Sequence, residues 1–149
     1  MSDEDFMRQA LDQAKMAEEI GEVPVGAVIV AGGRIIARAH NLCERLRDFT
    51  AHAEMQAYTA ASEYLGGKFL DQCTLYVTLE PCPMCAGAAF WTRIGRVVYG
   101  AKDDKRGGLD FSGKRAEGLF HPKTEMTGGV LEEECAEILQ RFFARRRKS

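Results

Sequence analysis

The sequence has no run of apolar residues that approaches the roughly 20 needed to cross a lipid bilayer. Its first residues, Met1 to Asp5, are acidic, whereas a secretory signal begins with basic residues and continues with an apolar stretch. An internal repeat, a low-complexity tract and a linker rich in proline or serine are also missing. These absences predict one domain over residues 1–149, located in the cytoplasm and not in a membrane.

An overall excess of positive charge is missing too. The 20 Lys and Arg face 22 Asp and Glu, for a formal net charge of −2, which argues against a protein that coats nucleic acid with its whole surface. The balance is uneven, because residues 1–80 hold 7 basic and 13 acidic side chains while residues 81–149 hold 13 and 9. The second half could therefore present a local positive surface to a polyanion.

The cysteines do not form a disulfide framework. There are five of them, an odd number, in a chain without an export signal, and this pattern favours free thiols or a metal site. We expect Cys43, Cys73 and Cys135 to be buried small residues, and Cys82 and Cys85 to belong to a metal site.

Apolar periodicity predicts an α/β domain. The patterns indicate helices over residues 6–20, 52–65, 84–92 and 131–147, and strands over residues 25–31, 34–39, 74–79 and 97–99. This order implies a mixed sheet with helices packed against it. Residues 100–130 contain seven glycines and many charges, which predicts a long loop region with one or two short elements.

Metal-ligand chemistry is concentrated in residues 50–54 (TAHAE) and 79–85 (LEPCPMC). His52, Cys82 and Cys85 are the three protein ligands that a catalytic zinc uses when water holds its fourth position, whereas a structural site would usually recruit a fourth protein ligand. A lone Cys-x-x-Cys is also typical of redox sites or of buried pairs. The proline context and the upstream His-x-Glu favour zinc, and together they form the known signature of zinc nucleobase deaminases.

Helix-capping preferences place these ligands at two helix starts. Pro83 suits the first position of a helix, which puts Cys82 at the N-cap, and Thr50 is a candidate N-cap for the helix that carries His52. We expect the two helix starts to converge on one zinc ion. Glu54 is too close to His52 in sequence to be an obvious fourth ligand, and a carboxylate beside zinc-bound water is placed to move its proton. The predicted reaction class is hydrolysis.

The sequence resembles the cytidine/deoxycytidylate deaminase superfamily and, within it, the bacterial tRNA-specific adenosine deaminases. The similarity covers nearly the whole chain and is densest at residues 22–28 (EVPVGAV), 50–54, 75–82 (LYVTLEPC), 84–88 (MCAGA) and 93–100 (RIGRVVYG). The metal motif alone would indicate only the superfamily. The resemblance implies a three-layer α/β/α sandwich around a mixed five-stranded sheet, one zinc ion per subunit, and a homodimer with active sites near its interface.

The resemblance also implies hydrolytic deamination of adenosine to inosine at the wobble position of a tRNA anticodon. Zinc-bound hydroxide would attack C6 of the flipped adenine while Glu54 shuttles the proton. By the same match Asn41 hydrogen-bonds the target base, Ala53 offers backbone contacts and Val23 lines the pocket. On sequence alone Asn41 could equally be a turn residue.

Two features would suit a tRNA anticodon stem-loop as partner. Residues 93–123 carry eight basic and four acidic side chains. The pair Phe142-Phe143, followed by Arg145, Arg146 and Arg147, resembles the family's C-terminal helix, where aromatic rings stack on bases and arginines hold phosphates. Without the family, a core-facing Phe on a solvated helix end is the simpler interpretation. Asp103 lies at a family position near the substrate backbone, although a surface Asp needs no function.

Some residues depart from the family pattern. Phe90-Trp91 looks more like bacterial guanine deaminases of the same superfamily, although a tryptophan here is more often a core residue than a substrate platform. One alternative is therefore a zinc deaminase of free guanine or cytosine, with a pocket closed by the C-terminal segment. Another is a non-catalytic, zinc-stabilised RNA-binding module, which would keep the ligands but lose Glu54. His121, in the LFHP segment at residues 119–122, is expected to be structural.

Overall fold

The computed structural model describes residues 1–103 and 119–147. In chain order the elements are α1 (Asp3–Glu19), β1 (Gly26–Ala31), β2 (Arg34–His40), α2 (Cys43–Leu46), α3 (Ala53–Leu65), β3 (Cys73–Leu79), α4 (Pro83–Thr92), β4 (Arg96–Ala101), β5 (Glu125–Thr127) and α5 (Glu132–Arg147). Every predicted helix and strand is present, with ends shifted by a few residues. The short helix α2 was not predicted, and β5 lies in the glycine-rich region, of which residues 104–118 fall outside the described residues.

The five strands form one mixed sheet in the order β2-β1-β3-β4-β5. β1 pairs antiparallel with both β2 and β3, whereas β4 pairs parallel with β3 and β5. The β1–β2 hairpin turns at Gly32 and Gly33, whose φ angles of +57° and +77° favour glycine. The predicted mixed five-stranded sheet is confirmed.

Helices cover both faces of this sheet. Alternate strand residues, among them Ile29, Leu75 and Val97, pack in the core beneath α3 and α4, and their neighbours in sequence pack with α1 and α5. Burial on both faces explains why β1 reads as a nearly continuous apolar run. The three-layer α/β/α sandwich is therefore present, and no helix within the described ranges is long and apolar enough to cross a membrane.

Gly26 allows α1 to pack directly against β1. A Cβ at this position would collide with backbone atoms of Ala10 and Ala14 on α1, and the Gly26 N–H donates to Thr78 Oγ1 at 3.1 Å. We expect Gly26→Ala to lower the free energy of unfolding by about 3 kcal/mol, because helix backbone must shift to relieve the overlap. Urea denaturation measures this, and Gly67→Ala, whose Cβ meets open space, is the control. Equal stability of the two variants would contradict the packing.

Candidate active site

The starts of α3 and α4 carry the predicted zinc ligands. His52 is the N-cap of α3 and Cys82 the N-cap of α4; both have extended backbone, and neither side chain caps its own helix. Pro83 is the first residue of α4, as predicted. The prediction that Thr50 caps α3 is wrong, because its N–H and hydroxyl both donate to Asp48 Oδ1, at 2.8 and 2.7 Å. The helix therefore begins two residues later than a Thr50 cap would place it.

The donor atoms of His52, Cys82 and Cys85 fit one zinc ion. His52 Nδ1 lies 3.6 Å from Cys82 Sγ and 3.5 Å from Cys85 Sγ, and one ligand atom from each residue lies within 4.8 Å of the others. Zinc–sulfur and zinc–nitrogen bonds of ordinary length, set at tetrahedral angles, would hold nitrogen and sulfur about 3.6 Å apart. The set supplies three protein donors, which is the number typical of a catalytic zinc.

The protein already stabilises one thiolate at this site. Hydrogen bonds, first from Cys85 and then from His52, lower the pKa of Cys82 to about 4. The pKa of Cys85 is raised instead, because its proton is held in the bond to Cys82 and because the residue is buried. A zinc ion binds thiolates, so its arrival would displace the remaining thiol proton.

Glu54 lies in the first turn of α3, behind the donor set. Its side chain is 4% exposed and hydrogen-bonds with Cys85, and burial raises the pKa of Glu54 to about 7. A carboxyl group that titrates near neutral pH can both accept and return a proton, which is the requirement for general acid–base catalysis. Glu54 is not part of the three-residue donor set, as the sequence predicted.

Asn41 is held beside the start of α3. It is 8% exposed, its Oδ1 accepts the Ala53 N–H at 2.8 Å, and its own N–H donates to Val25 O at 3.2 Å. Its side-chain NH₂ makes no hydrogen bond to the described residues and can meet a ligand. The Ala53 N–H, by contrast, is already engaged. The structure thus brings Asn41 and Ala53 to the zinc ligands, and it packs half-buried Val23 against the core that contains α3.

The residues predicted to contact RNA lie in two places, after β4 and on the helix α5. Asp103 follows β4, and its N–H donates to Glu80 Oε1 at 3.1 Å. Phe142 is 6% exposed, so its ring faces the core, and the guanidinium of Arg146 lies 4.8 Å from the centre of that ring. A stacking role for Phe142 would require α5 to move, and it stays a prediction. The exposed aromatic residue on this helix is Phe143, at 45%.

The arginines of α5 contact the end of α1. Arg145 lies 3.8 Å from Glu18, Arg141 pairs with the same carboxylate at 3.0 Å, and Arg146 donates to Gly21 O at 2.9 Å. These contacts dock α5 in the sandwich. A phosphate-binding role for Arg145 and Arg146 stays a prediction.

Three further predictions concern the remaining cysteines, His121 and Trp91. All five cysteines are free, and Cys73 and Cys135 are buried as expected, but Cys43 is only half-buried. His121 lies outside the donor set, and its Nδ1 accepts the Lys123 N–H at 3.1 Å. Trp91 is 77% exposed, so the expectation of a core tryptophan is wrong.

Sequence reasoning missed Tyr58, one helical turn after Glu54. It is 4% exposed, and its hydroxyl is buried with no hydrogen-bond partner among the described residues. Burial raises the pKa of Tyr58 well above its usual value, and the nearby acidic groups, Glu54 first among them, add to the effect. The spacing of four residues from Glu54 on a helix was the available signal, since such residues share a face.

The starts of the helices α3 and α4 bring together three zinc donors and a buried carboxyl group. This arrangement is the site of a zinc-dependent hydrolytic deaminase. The family model for the cytidine and deoxycytidylate deaminase zinc-binding region matches residues 1–101, and the chain belongs to this family of zinc-dependent enzymes. It is also 50% identical over 147 residues to the tRNA-specific adenosine deaminase of Bacillus subtilis (strain 168), a match that covers 98% of this chain and 91% of that protein. Within the zinc deaminases, the chain belongs to the tRNA-specific adenosine deaminases.

Solved structures share the whole architecture. One, from a study of A-to-I editing by tRNA deaminases at the wobble position of transfer RNA, has a TM-score of 0.84 and 44% identity over 91% of this chain and 99% of that chain. Another, a guanine deaminase from Nitrosomonas europaea, has a TM-score of 0.82 and 26% identity over 95% of this chain and 84% of that chain. The fold is therefore shared by deaminases of different bases, so substrate choice depends on the site residues.

Proposed function

We propose that this chain deaminates adenosine to inosine at the wobble position of a tRNA anticodon. The observation that carries the proposal is the buried carboxyl of Glu54 against the three zinc donors, in a chain whose relatives are named for this reaction. The reaction consumes water and adenosine and releases ammonia and inosine. It therefore needs a group that moves one proton of the water to the base and the other to the leaving amine.

Each site residue has one task in this proposal. His52, Cys82 and Cys85 would hold the zinc ion, which when bound supplies a Lewis acid that makes water nucleophilic near neutral pH. Glu54 takes one proton from the attacking water and delivers it to the adenine ring, and it then transfers the second proton of that water, from the new hydroxyl group on C6, to the leaving amino group. Asn41 directs its free NH₂ to a polar atom of the base and thereby orients the ring.

The proposed partner is a single-stranded RNA loop in the form of the anticodon stem-loop. A base can reach a recessed zinc site only after it leaves its stack, and loops allow this at small cost. We also propose a homodimer, because large apolar side chains are exposed at the ends of α3 and α4, with Trp91 at 77% and Tyr64 at 64%. Because the proposed substrate is a tRNA, we propose that the protein acts in the cytoplasm.

A free-base deaminase is the second candidate, favoured by the similarity to a guanine deaminase. The Phe90-Trp91 pair does not strengthen it. The two rings contact each other, and Phe90 contacts His121, at the end of α4 opposite to Cys82. The pair follows the zinc donor Cys85 by five and six residues, a rise of about 8–9 Å along the helix, and its ring contacts are internal and with His121 rather than with the zinc donors.

A substrate comparison tests the proposed function. The zinc-loaded protein is incubated with an RNA hairpin that carries adenosine at the wobble position of its loop and, separately, with guanine, cytosine and free adenosine. We expect inosine in the hairpin, detected by sequencing, because recognition of the loop places the adenine in the site. We expect no ammonia release from guanine, cytosine or free adenosine. Guanine turnover with an unmodified hairpin would establish the second candidate instead.

A further inference from the structure

We propose that Glu22 is a positioning residue that holds the Asn41 segment, residues 41–47, in the geometry that base recognition requires. The inference deepens the proposed function and rests on it. Glu22 lies in the connection between α1 and β1, far from Asn41 in sequence. Its side chain is 1% exposed, and nothing in the proposed proton transfer uses it.

The Glu22 carboxylate is bound to the backbone of α2. Its Oε1 accepts the N–H of Glu44 at 3.0 Å, and its Oε2 accepts the N–H of Arg45 at 2.7 Å. A carboxylate is costly to bury without such partners, and hydrogen bonds to a charged acceptor are stronger than neutral ones. Both oxygens are therefore committed to two successive backbone groups of one short segment.

Among the described residues, Glu22 provides the side-chain hydrogen bonds that reach the α2 backbone from outside its own segment. The helix has four residues, none of them buried, and no side chain caps its start. Leu46 is 56% exposed, and Arg47, which ends the helix, has a φ of +52°, a left-handed conformation that is unfavourable for a residue with a side chain. Because α2 contributes no buried apolar face, its position depends on polar contacts, which are the two bonds to Glu22 and the backbone bond of Leu42 to Ala51.

The contacts of Asn41 connect α2 to the zinc site. Only Leu42 separates Asn41 from α2, and the Leu42 N–H donates to Ala51 O at 3.0 Å. The Asn41 Oδ1 then accepts the Ala53 N–H, at the first residue of α3. A displacement of α2 would therefore move the Asn41 amide relative to His52. Glu22 sets the position of the group that we propose to orient the base, without touching the base itself.

The test uses the full-length zinc-loaded protein and the Glu22→Gln variant, which keeps the side-chain shape but offers one acceptor oxygen where two N–H groups need acceptors. We expect amide hydrogen exchange to become at least about tenfold faster at Glu44, Arg45 and Ala53. We also expect the KM for the RNA hairpin to rise about tenfold while kcat changes by less than about threefold and zinc content is unchanged. Glu44→Gln removes an exposed carboxylate from the same segment and should change none of these quantities.

A double variant separates positioning from general destabilisation. If Glu22 acts through Asn41, Glu22→Gln combined with Asn41→Ala should be no worse than Asn41→Ala alone, whereas independent effects would multiply. Multiplied losses, or unchanged exchange at Ala53, would overturn the proposal. If Glu22→Gln does not fold, Glu22→Asp, which keeps the charge but cannot reach both N–H groups, should show the same pattern to a smaller extent. Absence of hairpin deamination in the unaltered enzyme would refute the proposed function, and the exchange at Ala53 would still decide the role of Glu22.

Discussion

Replacement of Glu54 with Gln is expected to lower the rate of inosine formation by about 10³-fold and to leave zinc content unchanged. Gln has nearly the same shape as Glu, but its amide cannot take up and return a proton. Because Glu54 lies outside the donor set, its replacement should not release the metal. Single-turnover rates on the RNA hairpin, together with zinc analysis of the same samples, measure both quantities.

A matched substitution on the same helix controls for lost charge. Glu63 is an exposed carboxylate near the end of α3, and Glu63→Gln should retain the full rate. If Glu54→Gln retained more than about a tenth of the rate, proton transfer by Glu54 would be refuted. If it lost zinc, Glu54 would be helping to hold the metal, and the assigned role would also be wrong.

The long helices and the first four strands could be predicted because their determinants are local, whereas the five-stranded α/β/α sandwich was expected from the family resemblance. Ile29 and Leu75 alternate with neighbours that face the opposite helix layer, and such periodicity is visible in any short window of sequence. The helix α2 could not be found in this way, because its position depends on Glu22, about twenty residues earlier in the sequence. A helix held by a distant side chain leaves no periodic signal of its own.

The site residues likewise divide into those that can be recognised from the neighbouring sequence and those whose contacts depend on distant parts of the chain. The zinc ligands could be identified because few residue types bind zinc and because Pro83 marks a helix start. The cap of α3 was predicted wrongly, since Thr50 fits the preference for an N-cap but its hydrogen bonds are taken by Asp48. The burial of Phe142 was one of two interpretations that the sequence left open, and only the docking of α5 distinguishes them.

The net charge of −2 is compatible with an RNA substrate only if positive charge is concentrated locally. On α5 part of that charge is already paired, because Arg141 and Arg145 both contact Glu18. Because the arginines of these pairs are exposed, at 42% and 67%, each pair contributes about 1 kcal/mol or less, so phosphates could compete for these arginines at small cost to the fold. The acidic first half therefore does not oppose RNA binding, and it supplies the carboxylate that pairs with these arginines.

Removal of a zinc ligand should have the other large effect. Cys85 is fully buried and contacts both His52 and Cys82, so Cys85→Ala leaves two donors and a cavity. We expect the purified variant to contain much less than one zinc ion per chain and to form no detectable inosine. The matched control is Cys73→Ala, which removes another buried thiol that is not in the donor set and should retain zinc and activity.

Thermal stability supplies a readout that does not depend on catalysis. A zinc ion present at 100 times its dissociation constant stabilises the folded state by about 2.7 kcal/mol, which corresponds to about 5–10 °C in Tm for a chain of this length. A chelator should therefore lower the Tm of the unaltered protein and of Cys73→Ala, and zinc should restore it, whereas neither treatment should change the Tm of Cys85→Ala. Since Cys85 must lose its proton to bind zinc, and its pKa is raised, the zinc affinity of the unaltered protein should fall as the pH is lowered. Retention of stoichiometric zinc by Cys85→Ala would show that the donor set has been assigned wrongly, because His52 and Cys82 alone cannot complete a three-ligand site.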